Sequence, residues 1–179
     1  MQTTTRDQGP RTSLLPKVHV LAVLMLTALA PWPASAQTSY TFYPIDPCRV
    51  YDSRPIWPFS QWPFYGQALP SSTVRTIPVR NFSVNQCGSA IPTTAVAVVL
   101  NITIVGPTAG GFLTLYPGNQ QAPPTISNIN FNQNEPALGN GAIVKLNPTP
   151  GMTDLAMIYG VGGGSASTNV ILDATGYFQ

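Results

Sequence analysis

Side chains able to carry a proton near neutral pH are scarce in this chain, and their positions decide which chemistry is open to it. The 179 residues hold one histidine, His19, and it sits inside an N-terminal apolar run. Nucleophilic catalysis of the Ser-His-Asp or Cys-His kind needs a base of near-neutral pKa beside the nucleophile. Past residue 36 only Lys145 could replace that histidine, and it lies in an ordinary strand pattern, AIVKL, with no Ser-x-x-Lys around it. Carboxylate-pair hydrolysis is the one enzyme class the composition leaves open. The acids past residue 36 are Asp46, Asp52, Glu135, Asp154 and Asp173. Asp52 and Arg54 stand two apart, on one face of an extended chain. Asp173 interrupts the apolar run Val170-Ile171-Leu172-Asp173-Ala174, where a buried carboxylate needs a partner. These residues read as a structural ion network of Arg49, Asp52, Arg54 and Asp173 that docks the N-terminal segment on the last strand. No catalytic residue is expected, and the chain is read as a non-enzyme.

Metal chemistry finds little support. Cys48 and Cys87 are the two cysteines. With no histidine past residue 36, two thiolates do not close a zinc site. In an exported chain they read as a disulfide, closing a loop of about 40 residues and stabilising the fold by roughly 3–4 kcal/mol in the chain-entropy model. Residues 130–135 (NFNQNE) offer amides and one carboxylate without the spacing of a calcium loop, and read as turn and edge residues. Asn101-Ile102-Thr103 matches a glycosylation acceptor formally; inside a strand pattern it reads as coincidence. No metal and no cofactor is expected.

The elements that must carry these residues begin after a leader. Arg6, Arg11 and Lys17 precede the apolar run 18–30 (VHVLAVLMLTALA), and Ala34-Ser35-Ala36 supplies small-x-small spacing. This is the pattern of a signal peptide over 1–36, with mature numbering from Gln37. The run is too short to span roughly 30 Å of hydrocarbon, and Pro31 and Pro33 interrupt it. No membrane association is expected after cleavage. From residue 37 onward, Arg49, Arg54, Arg75, Arg80 and Lys145 balance the five acids. The apparent basicity therefore belongs to the leader, and a nucleic-acid partner is not expected.

Residues 37–179 suit one domain. Helical period is absent, and proline and glycine recur too often for helices to grow. Residues 95–105 (AVAVVLNITIV) alternate Val96, Val98, Leu100, Ile102 and Ile104 on one face with Ala97, Val99, Asn101, Thr103 and Val105 on the other. That is the period of a strand. Residues 106–110 read as a turn, with 111–116 (GFLTLY) as a hairpin partner. Other strand candidates are 40–43, 48–51, 73–79, 125–131, 142–146, 155–159 and 169–177, separated by turn chemistry at 117–119, 138–141, 148–151 and 160–167. About nine strands predict an all-β, antiparallel two-sheet sandwich, with the jelly roll among the topologies open to it. Residues 55–66 (PIWPFSQWPFYG) break the pattern: Pro58 and Pro63 lack the ladder N–H, so this is a loop carrying aromatics.

Several motifs carry a family resemblance. Phe42-x-Pro44-x-x-Pro47-Cys48-Arg49-Val50-x-Asp52-Ser53-Arg54 resembles the opening motif of a secreted bacterial β-sandwich module, found singly and in tandem in exported proteins of soil bacteria. Cys87-Gly88 with Ile91-Pro92, Leu100-Asn101-Ile102-Thr103, Gly111-x-Leu113-Thr114-x-Tyr116-Pro117, Asn128-x-Asn130-Phe131 and Asp173-x-x-Gly176-Tyr177-Phe178 follow in order. The resemblance covers nearly all of 37–179 and implies a non-catalytic module of the kind set beside enzymatic or surface domains. The aromatic loop departs from it, where the family is richer in glycine.

Two contact functions follow. The first is a self-associating subunit of an extracellular filament, coat or matrix, a homo-oligomer or polymer. Residues 37–45, with Thr38, Tyr40, Phe42 and Tyr43, would pair with a sheet edge of this chain or a neighbour, and Trp57, Phe59, Trp62, Phe64 and Tyr65 would be interface. The second is a carbohydrate-binding module, with Trp57, Trp62 and Tyr65 as a platform for cell-surface polysaccharide. A third option makes the loop a lid over its own core.

Overall fold

The structure, a computed structural model, describes Gly9, residues 38–55 and residues 66–179. The chain divides into two compact units, Met1–Ser39 and Tyr40–Gln179, and the described strands lie in the second. Among the described residues there are nine strands and no helix. They are β1 (Phe42–Asp52), β2 (Leu69–Pro70), β3 (Val74–Ile77), β4 (Ala97–Val105), β5 (Gly111–Pro117), β6 (Ile129–Phe131), β7 (Leu138–Lys145), β8 (Leu155–Gly160) and β9 (Ser167–Phe178).

The first sheet runs β1-β9-β4-β7, with β2 also paired to β9; the second runs β3-β8-β5-β6. Every strand pair is antiparallel. Without the two-residue β2, this strand order is that of a jelly roll, the double Greek key. Alternation decides which face each sheet buries. Val98, Leu100, Ile102 and Ile104 of β4 point inward beside Val170, Leu172 and Ala174 of β9. Leu113 and Leu115 of β5 meet them from the other sheet with Leu155, Met157 and Tyr159 of β8. Truncating one of these buried aliphatics to alanine typically costs about 2–5 kcal/mol.

Three local readings differ from the structure. β4 and β5 are not a hairpin: both edges of β4 are occupied, by β9 and β7, and β5 lies in the other sheet. The link at 106–110 is held to distant chain instead, with Gly106 N–H donating to the Glu135 carbonyl (3.0 Å) and Thr108 N–H to that of Ser167 (2.9 Å). Residues 138–141, read as a turn from their glycines, form the first half of β7, because β4 supplies a partner residue by residue. Residues 40–43 and 48–51, read as two strands, fall largely in one strand, β1, whose register against β9 shifts between Pro44 and Cys48 and again between Arg49 and Tyr51.

Candidate functional site

The β1–β9 ladder places Arg49 opposite Asp173 on the outer face of the first sheet. Arg49 Nε donates to Asp173 Oδ1 at 2.7 Å and Nη2 to Oδ2 at 3.2 Å, while Nη1 reaches Asp52 Oδ2 at 2.9 Å. Asp52 also accepts from Arg54 N and Nε, both at 3.0 Å, and from Arg54 Nη2 at 2.8 Å. One arginine thus bridges two carboxylates, and a second grips the inner one. The hydrogen bond that Arg49 donates to Asp173 holds the Arg49 pKa above its ordinary value, against the opposing effect of burial. The burial expected of Asp173 belongs to Asp52. The Asp173 side chain keeps 27% of its surface exposed, and that of Asp52 keeps 0%. The outward face of β9 is open at Asp173, whereas Asp52 turns in where the chain leaves β1.

Further along the ladder the N-terminal arm is paired with its own chain. Thr41 and Gln179 exchange backbone bonds of 2.8 and 3.0 Å. Phe42 lies over Phe178 with ring centroids 5.4 Å apart, and Tyr43 stacks on Tyr177 at 5.2 Å. The Phe42 ring rests on Gly176, where any Cβ would collide with it. Thr38 belongs to the N-terminal unit. Tyr40, Val96, Ala97, Ile143, Lys145 and Phe178 line an open groove of about 410 Å³ on this outer face. Its walls include residues that would ordinarily be sheltered: Tyr40 is 54% exposed and Ile143 65%, with Phe42 nearby at 46%.

The disulfide joins Cys48 to Cys87, 39 residues apart. Beside it, Gln86 N–H donates to the Arg49 carbonyl at 3.0 Å. The bridge thereby anchors the same stretch of β1 that carries the ion network.

Two polar clusters carried no sequence signal. Asp154 is fully buried and accepts from Arg80 Nε (2.9 Å) and from the N–H groups of Val79 and Arg80 (both 2.8 Å). Arg80 in turn donates to the carbonyls of Ala95 (3.0 Å) and Asn147 (2.6 Å). The pair is 74 residues apart in sequence, so no local spacing could reveal it. Arg75 donates to the Tyr51 hydroxyl at 2.8 Å and to the Gln67 carbonyl at 2.7 Å. Burial raises the Tyr51 phenol's pKa, with Arg75 pulling the other way.

Trp57, Phe59, Trp62, Phe64 and Tyr65 lie outside the described residues. Pro55 and Gly66, which flank that segment, stand against each other, and Gly66 takes a left-handed φ of 66°.

No family model matches the chain. No curated protein matches its sequence. Among solved structures, the coat protein of Tobacco streak virus aligns over 79% of this chain and 90% of its own, at 13% identity and a TM-score of 0.35. A structure of that coat protein's dimer aligns over the same shares at 12% identity and a TM-score of 0.34. A likeness that loose carries no functional argument.

Chemically, the described acids are mostly committed. Asp52, Asp154 and Asp173 each lie in a salt bridge with arginine. Among the described residues no three His, Cys, Asp or Glu side chains converge. What the outer face offers is contact: aromatic rings, an exposed isoleucine and one lysine around a shallow groove.

Proposed function

We propose that this chain is a non-catalytic, extracellular structural protein, a self-associating subunit of a filament, coat or matrix at the cell surface. The observation that carries the reading is the groove on the outer face of the first sheet. Exposed apolar and aromatic side chains gather there, while Arg49, Asp52, Arg54 and Asp173, further along the same sheet, are paired with one another. Such patches on otherwise polar domains mark contact surfaces. Three of the acids being held by arginine supports a role without turnover, since a general acid must be free to take up and release its proton. Export by residues 1–36 is part of the proposal, supported by the leader pattern and by a disulfide of the kind that persists in oxidising compartments. The motif resemblance to exported bacterial β-modules points the same way.

The test is sedimentation and light scattering of protein expressed from the full 179-residue chain, with electron microscopy of the exported material. The expected result is a mass that rises with concentration through the micromolar range. A monomer at every concentration that is retained on cell-surface polysaccharide would replace this reading with the carbohydrate-binding one.

A further inference from the structure

A jelly roll built from two open sheets has four edges, and this molecule treats them unequally. The free side of β1 carries Pro44, Pro47 and two register shifts, and β2, in line with it, is two residues ending in Pro70. In the other sheet the edge strands β3 and β6 have four and three residues. Prolines, irregularities and shortness are the ordinary means of keeping an edge from pairing with another chain. β7 has none of them. It runs eight residues, Leu138–Lys145, without proline and without a register shift against β4.

Which backbone groups of β7 are free follows from the ladder. Leu146 N–H donates to the Val96 carbonyl at 2.8 Å, and these two residues stand opposite each other one step beyond the Ala97–Lys145 pair. In an antiparallel ladder this makes Ala97–Lys145 a non-hydrogen-bonded pair, and the alternation continues from there. The even-numbered residues of β7 therefore direct N–H and C=O toward β4. Gly139, Gly141, Ile143 and Lys145 direct theirs away from the sheet. No described group bonds them. The same odd residues put their side chains on the outer face: two are glycines, and Ile143 is exposed at 65%.

Charge identifies the occupant. Glu135 lies just before one end of β7 and Lys145 at the other, and neither has an ion partner among the described residues. An edge with opposite charges at its two ends complements a copy of itself turned end for end, the isologous arrangement of a two-fold dimer. We propose that the free edge of β7 pairs antiparallel with β7 of a second copy of this chain, about a two-fold axis at Gly141. That register sets Gly141 against Gly141 as a hydrogen-bonded pair and joins the two first sheets into one. Ile143 then stands over Gly139 of the second copy, where the missing side chain leaves room for it. Lys145 comes to the end of the second copy's β7 that Glu135 precedes; Glu135 lies beyond a bend there, with its carbonyl turned to Gly106, and two long side chains span the gap, twice per dimer. The proposal rests on the self-association reading above and names its interface.

The experiment is sedimentation equilibrium on protein from the full chain, with circular dichroism to verify folding. Ile143→Pro removes a free-edge N–H without touching the β4 ladder, and is expected to weaken association by more than about a hundredfold. Lys145→Glu sets like charges at both contacts and is expected to weaken it about tenfold. The double swap Glu135→Lys/Lys145→Glu is expected to restore the parent constant. If Ile143→Pro fails to fold, the two charge variants decide alone, since both positions lie at the strand's ends. Association that survives Lys145→Glu, or that the double swap does not recover, overturns the β7 interface and leaves self-association standing. A parent chain that stays monomeric removes both.

Discussion

At the residue scale, two arginine–aspartate clusters of similar appearance differ in environment. Arg80 and Asp154 are almost wholly enclosed, with side chains 2% and 0% exposed, while Arg49 keeps 25% of its side chain in solvent. Removing one partner from a buried pair strands a charge, which costs about 3–5 kcal/mol. Water re-solvates a partly exposed cluster, and there the loss is about 1–2 kcal/mol. Arg80→Ala is therefore expected to destabilise more than Arg49→Ala in urea unfolding, and the reverse order would contradict the burial argument. Tyr51 adds a pH dependence. Its phenol is neutral when protonated, and burial raises its pKa in the fold above the ordinary value of 10.0. The folded state thus holds the proton more tightly than the unfolded chain. The associated stability is present below about pH 10 and is lost as pH rises through the folded pKa. Unfolding free energies from pH 8 to 11 are expected to fall in the parent and to fall less steeply in Tyr51→Phe.

At the element scale, close approach governs β5 and β8. Gly111 faces the Gly160 backbone, and a Cβ there would run into the Gly160 carbonyl and meet Tyr159 Cε2 at 2.9 Å. Backbone cannot move aside as a flexible side-chain tip can. Gly111→Ala is accordingly expected to cost about 1–3 kcal/mol, the usual range for overpacking, whereas Gly141→Ala, with nothing within 4 Å, is expected to cost far less. Paired thermal melts of the two variants check this. The strands themselves were legible where alternation was strong. β4 stands out because valine, leucine and isoleucine recur at period two. The first half of β7 did not, because Gly139, Asn140 and Gly141 are turn residues by local chemistry, and only the partner strand makes them extended.

At the scale of the whole molecule, β1 and β9 bring the two ends of residues 40–179 together in one ladder. Contacts so distant in sequence make closure expensive for the unfolded chain. The Cys48–Cys87 bridge offsets part of that cost by restricting the unfolded ensemble near β1. Replacing both cysteines with alanine is expected to lower stability by roughly 3–4 kcal/mol with little change in near-ultraviolet circular dichroism below the transition. A loss under 1 kcal/mol in guanidinium titration would mean the loop is already constrained by other contacts.

Composition and period determined a good deal unaided. The all-β class follows from alternation broken by proline and glycine. The one pair of cysteines points to a single disulfide. The grouping of Arg49, Asp52, Arg54 and Asp173 follows from the need of a charge in an apolar strand for a counter-charge. Tertiary structure alone decided which sheet each strand joins, that Asp52 rather than Asp173 is the enclosed carboxylate, that Arg80 finds Asp154, and that β7 is left with an unblunted edge. The physical reason is common to these. Each depends on pairing between segments tens of residues apart, where the partner's backbone and charge outweigh any preference the local residues express.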